Sequence, residues 1–233
     1  MITRLLALTT VAALAAVGLT GCIRLGPTAT ESREIGDVTA VVLDTEGDLE
    51  IREGEPSLTI HAPASILDLL TSEVRDGVLE LGRRPGAFLA GIAEVRYELT
   101  VPSLDSIEVS GSGDVTSTVS ADGLTIEISG SGDVTVDGID ADAVQLTIDG
   151  SGDVELTGVA NSLTADIAGS GEVDSEGLEV RDATIDISGS GGLSVNATDT
   201  LTVDISGSGS VTHTGGAEVD AQISGSGDVE ADD

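Results

Sequence analysis

A right-handed parallel β-helix of about 19 residues per coil is the fold this sequence predicts, and three observations predict it. First, the motif SGSGD at Ser110–Asp114 returns, whole or nearly so, six more times in the 233-residue chain. Its first glycine falls at Gly111, Gly130, Gly150, Gly169, Gly189, Gly207 and Gly225, at intervals of 18 to 20 residues. Second, the flanking columns are ordered. Two residues before that glycine stand Val109, Ile128, Ile148, Ile167, Ile187, Ile205 and Ile223; four after it stand Val115, Val134, Val154, Val173, Leu193, Val211 and Val229. Disordered sequence has no reason to hold apolar residues in register. Third, in LTIEISGSGDVTV the residues Leu124, Ile126, Ile128, Gly130, Gly132, Val134 and Val136 share one parity, and polar residues take the other. A period of two over this length is extended chain with one apolar face.

Short strands recurring at one fixed period meet their own copies by coiling into a parallel solenoid, with successive coils about 4.8 Å apart. An antiparallel sandwich would not keep identical side chains in register, and the hexapeptide rhythm of left-handed helices is missing. Right-handed crossovers are the default for parallel strands. The two motif glycines fall on the apolar face, where a side chain would block a tight bend. A further glycine follows eight residues after the first, as at Gly138, Gly158, Gly177 and Gly215. Each repeat therefore reads strand, glycine corner, strand, glycine turn, variable loop, strand.

From the N-terminus, residues 1–21 read as an export signal: Arg4 supplies the positive end and LLALTTVAALAAVGL (Leu5–Leu19) the apolar run. The LTGC that follows resembles the bacterial lipoprotein signal, which makes Cys22, the sole cysteine, the expected lipidation site and mature N-terminus. No disulfide is possible with one cysteine. Residues 22–34 are polar and read as a flexible tether. Residues 35–104 carry looser strands, VTAVVLDTEGDLEI, SLTIHA, GVLELG and EVRYELTV, expected to form degenerate coils that cap the rod. Asp76–Gly77 is a hairpin signal, and ASILDLL (Ala64–Leu70) is expected to make two helical turns. TEGDLEI (Thr45–Ile51) reads as a degenerate copy of the repeat. Residues 105–233 form the repeat solenoid.

The composition narrows function. The formal net charge is −33, with nine arginines and 42 acidic residues. Phosphate backbones require a basic footprint, so no nucleic acid partner is expected. Such a charge favours a soluble monomer, and three carboxylates at the last strand (Glu230, Asp232, Asp233) are expected to repel a second copy. Phe88 and Tyr97 are the sole aromatics, which leaves little for stacking on sugars or bases. With 39% hydrophobic residues the chain is too apolar for a disordered acidic tail.

YELTVPSLDSIEVSGSGDV (Tyr97–Val115), followed by the repeated GSGDV, resembles the putative auto-transporter adhesin head GIN domain family, and VVLDTEGDLEIREGE and EVRDGVLEL fit the N-terminal half of its pattern. The resemblance covers roughly residues 35 to 230. It implies an exported β-helical domain with an adhesive role, and it brings no catalytic residues with it. The expected localisation is extracytoplasmic, lipid-anchored through Cys22 to the bilayer. A surface protein or glycan is the expected partner class.

The motif aspartates form a column, Asp114, Asp133 and Asp153, continued by Glu172, broken at Gly192 and Ser210, and resumed at Asp228. A second acidic column holds Glu108, Glu127, Asp166, Asp186 and Asp204. Stacked carboxylates repel one another. Ca²⁺, which prefers several oxygens, would relieve that repulsion at Asp114, Asp133 and Asp153. The competing reading is that these aspartates tolerate the turn and keep the chain soluble, and it carries more weight. The motif departs from the Ca²⁺-binding nonapeptide in period and in placing Asp directly after Gly. Catalysis is not expected, because an active site breaks a repeat with unlike residues converging at one coil. His61 and His213 lack sequence partners and read as packed or surface residues. No cofactor is expected.

Overall fold

The computed structural model describes residues 26–86, 94–119 and 121–232. The export signal, Cys22, the first part of the tether, Phe88 and Asp233 lie outside the described residues. The strands run β1 (Thr28–Arg33), β2 (Ala40–Leu43), β3 (Asp48–Glu53), β4 (Ser57–Pro63), β5 (Leu70–Arg75), β6 (Val78–Arg83), β7 (Arg96–Val101), β8 (Ser106–Val109) and β9 (Val115–Ser117). They continue as β10 (Gly123–Ile128), β11 (Val134–Ile148), β12 (Val154–Ile167), β13 (Glu172–Ile187), β14 (Gly192–Ile205), β15 (Ser210–Thr214), β16 (Glu218–Ile223) and β17 (Asp228–Ala231).

From β8 onward the chain is the parallel solenoid that the period predicts. β8, β10 and the second half of β11 stack in parallel, aligning Val109, Ile128 and Ile148. The column then runs through Ile167, Ile187, Ile205 and Ile223. All but the last are buried. The other predicted column, Val115, Val134, Val154, Val173, Leu193 and Val211, is buried as well, and Val229 at its end is half-buried. β11 to β14 are 14 to 16 residues long because each runs through a bend and onward into the next coil. The register between β11 and β12 shifts at Val136/Ile139, beside Gly138 at φ 72°. Glycine is the residue that adopts this left-handed turn without strain. In the last coil, among the described residues, β16 pairs only with β14, so the inward-facing Val219 and Ile223 are exposed there.

The motif glycines do what the parity argument requires. A Cβ built on Gly130 would overlap the Gly111 carbonyl oxygen of the previous coil, and one on Gly132 that of Gly113. The corner backbones thus approach closely enough to hydrogen-bond directly: Ser131 N–H donates to the Gly111 carbonyl at 3.1 Å and Ser151 N–H to that of Gly130 at 3.1 Å. The intervening serines face solvent. The ladder at this corner is therefore made by backbone groups.

The N-terminal region departs from a simple string of degenerate coils. β2 pairs in parallel with both β6 and β8, and β3 with both β7 and β9. The chain lays down β2–β3 first, steps outward to build β4 to β7, and then returns past β2–β3 to begin the repeats. TEGD is the degenerate motif expected: Gly111 stacks on Thr45, Gly113 on Gly47, and the Asp114 amide meets Asp48. Gly47 also leaves room for the buried Tyr97 ring, since a Cβ there would lie 2.8 Å from its Cε2. Burial pushes the Tyr97 phenol up to about 12, against smaller opposing pulls from the Thr45 hydroxyl and Arg33.

Antiparallel strands close this end. β5 and β6 form the hairpin predicted at Asp76–Gly77, both with positive φ. β4 pairs antiparallel with β7, and β1 with β4. Two expectations are corrected here. Ala64–Leu70 holds one 3₁₀ turn, Leu67–Leu69, in place of two helical turns. The Pro63 carbonyl accepts Ile66 N–H in the turn just before it, the Ile66 carbonyl accepts Leu69 N–H within it, and the chain is extended again at Leu70. The expected tether is ordered from Thr28. TATESR alternates half-buried and exposed as an edge strand. Arg33 fixes it: its guanidinium donates to the Leu70 and Leu67 carbonyls and to Ser72 Oγ, and it pairs with Glu31 at 2.7 Å.

Candidate functional site

The motif aspartates come together as the sequence predicts, on one outer corner of the rod. Their carboxylates are not idle. Asp133 N–H donates to Asp114 Oδ1 at 3.0 Å, Asp153 N–H to Asp133 Oδ1 at 2.8 Å, and Glu172 N–H to Asp153 Oδ1 at 2.8 Å. Each carboxylate therefore accepts the amide of the next coil's residue at the same position. A charged acceptor makes this bond stronger than a neutral one. Where the column loses its aspartate, the backbone takes over: Gly192, Ser210 and Asp228 donate to the carbonyls of Gly171, Gly191 and Gly209 at 3.2 to 3.3 Å. The column is a hydrogen-bond ladder between coils.

This ladder was not visible in the motif itself, because the bond joins residues 19 or 20 apart through a side chain. One signal pointed to it: the unbroken aspartate run covers the coils that use the bond. Asp48, in the degenerate TEGD, starts the run, with its Oδ1 3.5 Å from the Asp114 amide.

Beside the ladder lies a shallow groove of about 320 Å³, lined by Asp133, Asp153, Glu172, Thr135, Glu155 and Asp174. Glu155 and Asp174 are register partners on adjacent coils. Among the described residues, no three or more His, Cys, Asp or Glu side chains are grouped to hold a metal ion. With one oxygen of each ladder aspartate already accepting an amide, Ca²⁺ would have to draw on those that remain. Ca²⁺ and Na⁺ at matched ionic strength are expected to raise the melting temperature equally, by screening alone. A larger shift with Ca²⁺, read by thermal denaturation, would make the column a cation site.

The other candidates stand apart. His61 lies within hydrogen-bond distance of Thr30 through Nδ1 (3.1 Å) and 3.4 Å from Glu98 through Nε2, where it joins β1, β4 and β7. His213 is half-buried on β15, aligned with Val195 and Ala231. Both are packed or surface residues, as expected. Arg181 is exposed and paired with Asp199 at 2.9 Å, which holds its guanidinium above its ordinary pKa. It borders a second shallow groove with Asp140, Asp142, Asn161 and Glu179, on another face of the rod. The geometry of both grooves is that of repeated, nearly equivalent coils.

Solved structures share this fold. A putative adhesin from Bacteroides fragilis NCTC 9343 is 22% identical, with a TM-score of 0.83, over 88% of this chain and 97% of its own. A putative lipid binding protein from Parabacteroides distasonis ATCC 8503 is 22% identical, with a TM-score of 0.73, over 89% of this chain and 98% of its own. A putative adhesin from Parabacteroides merdae ATCC 43184 is 21% identical, with a TM-score of 0.68, over 89% and 97%. No curated protein matches the sequence. The family model matches residues 37–217, from the degenerate coils through the sixth motif, and the chain belongs to the family described as putative auto-transporter adhesin, head GIN domain.

Proposed function

We propose that this chain is a non-enzymatic, adhesin-like binding module, displayed outside the cytoplasm and held to a bilayer by lipid on Cys22. The observation that carries the reading is the equivalence of the coils. On the face of β12 to β14, Thr164, Thr184 and Thr202 stack in one outward column and Asp166, Asp186 and Asp204 in the next. A face that repeats every coil suits a partner that is itself extended or repetitive, such as a surface protein or a glycan chain. Family membership supports the adhesive class, and the LTGC sequence supports the anchor. The module acts as a monomer and needs no cofactor.

Two measurements test this. Cys22→Ser is expected to release the protein from membranes or stall its processing; unchanged retention with an unmodified N-terminal peptide would contradict the anchor. The purified protein is expected to bind intact cells or surface extracts saturably. Absence of saturable binding, with deletion altering only envelope mechanics, would make it a structural envelope component instead.

A further inference from the structure

We infer that the acidic coils hold the rod upright on an anionic phospholipid surface, with the less acidic cap as the end turned to the lipid headgroups. The inference rests on the anchoring reading above and adds the posture, the apposed face and the lipid charge on which it depends.

Three observations carry it. The first is where the chain enters the fold. Among the described residues β1 pairs only with β4, so it is the outermost described layer of the stack, at the end opposite β16 and β17. From Cys22 to Thr28 the chain can span no more than about 20 Å. The cap end is therefore tied close to the bilayer, and the remaining freedom is whether the rod stands or lies.

The second is the distribution of charge along the axis. Residues 22–104 carry seven arginines against 15 carboxylates; residues 105–233 carry one arginine against 27. The described arginines of the first group, Arg33, Arg52, Arg75, Arg83, Arg84 and Arg96, all lie on β1 to β7 or beside them. Arg33, Arg52, Arg75 and Arg83 pair with acids of the same region, so what sets the cap apart from the coils is a lower density of unpaired acid.

The third is that the acid is spread around the coils. Asp114, Asp133 and Asp153 mark one corner. Asp166, Asp186 and Asp204 line a flat face. Asp140, Asp142 and Glu179 line the groove on another face. Whichever of these sides lies down, a column of carboxylates comes within a Debye length of the surface, about 8 Å at physiological ionic strength. Standing on the cap removes nearly all of them from that layer. Anionic lipid thus selects the upright posture, and a zwitterionic surface does not.

The test is neutron reflectometry of the full protein, purified from membranes, on supported bilayers of zwitterionic lipid with and without phosphatidylglycerol. On the anionic bilayer at low salt the protein layer is expected to extend about 45 Å, the length of the stacked coils. On the zwitterionic bilayer, or in 1 M salt where the Debye length is about 3 Å, the layer is expected to be thinner. Equal thickness on both bilayers, or a thinner layer on the anionic one, would overturn the proposal. Mass spectrometry of the Cys22 peptide reads the anchor separately. Should Cys22 be unmodified, the anchoring reading fails; its thiol, the sole one in the chain, is then coupled to a maleimide lipid and the posture is measured in the same way. Replacing Asp166, Asp186 and Asp204 together with asparagine is expected to narrow the thickness difference between the bilayers. An unchanged difference in that variant would remove the flat face from the mechanism and contradict the proposal as stated.

Discussion

Ile148→Asp is expected to unfold the middle of the rod. Ile148 is fully buried, with Ile128 on one side and Ile167 on the other in register. The substitution removes a large apolar side chain from a stacked column and places a carboxylate there without a partner. Truncating a buried isoleucine alone costs about 2–5 kcal/mol, and an unpaired buried charge costs several more or takes up a proton to avoid it. For a domain of this size about 1 kcal/mol corresponds to a shift of about 2–4 °C. The melting temperature is therefore expected to fall by more than about 10 °C, measured by circular dichroism at 218 nm. Since each coil contacts its neighbours only, the loss is expected to appear first as a separate early transition of the coils around residue 148. Stability like that of the wild type would mean that the inside and outside of the strands have been assigned the wrong way round.

Gly150→Val is expected to be nearly as damaging, for a different reason. No left-handed φ is needed at Gly150. What forbids a side chain is the Gly130 carbonyl of the previous coil: a Cβ would lie 3.0 Å from its carbon and far inside contact distance of its oxygen. That same oxygen accepts the Ser151 N–H at 3.1 Å. The neighbour is backbone, so it cannot swing aside as a flexible side chain could, and the two coils must part. Parting them breaks this bond and strains Asp149 N–H to the Ile128 carbonyl, at 2.9 Å. A loss of about 3 kcal/mol or more follows from a break in the ladder together with overpacking. Gly123 is the control, because a Cβ there meets nothing within 4 Å. Gly123→Ala is expected to leave the melting temperature unchanged or slightly higher, since alanine loses less backbone freedom on folding. Equal effects at the two positions would show that the glycines serve general flexibility and not close approach.

The repeats were legible because a solenoid writes its geometry into period and parity. Ile128, Ile148 and Ile167 share a column in the sequence and in space, and parity alone puts the corner glycines on the inner face. The N-terminal third was legible only as strands. Its order in space, with β2–β3 inserted between β6–β7 and β8–β9, follows from long-range pairing that leaves no periodic trace. β6 and β7 lack the motif, and antiparallel neighbours need no repeat. β1 was missed because TATESR carries no large apolar residue. It is held by Arg33 reaching carbonyls 34 and 37 residues away, and such a bond has no local signature. The aspartates were found but their work was not, since sequence shows a column of charges and hides the amide each one accepts.

The claim at the centre is that SGSGD builds the stack and that its aspartate serves as a hydrogen-bond acceptor. Comparing the melting temperatures of Asp133→Asn and Asp133→Ala tests it most directly. Both variants remove the same charge, so relief of repulsion along the column is common to them, and their difference isolates the acceptor. Asparagine keeps an Oδ1 for the Asp153 amide and is expected to melt like the wild type or slightly higher. Alanine leaves that amide without its partner and is expected to melt about 2–4 °C lower than asparagine, in line with about 1 kcal/mol for the bond. Equal melting temperatures for the two variants would contradict the ladder and return Asp133 to the role of a solvated surface charge.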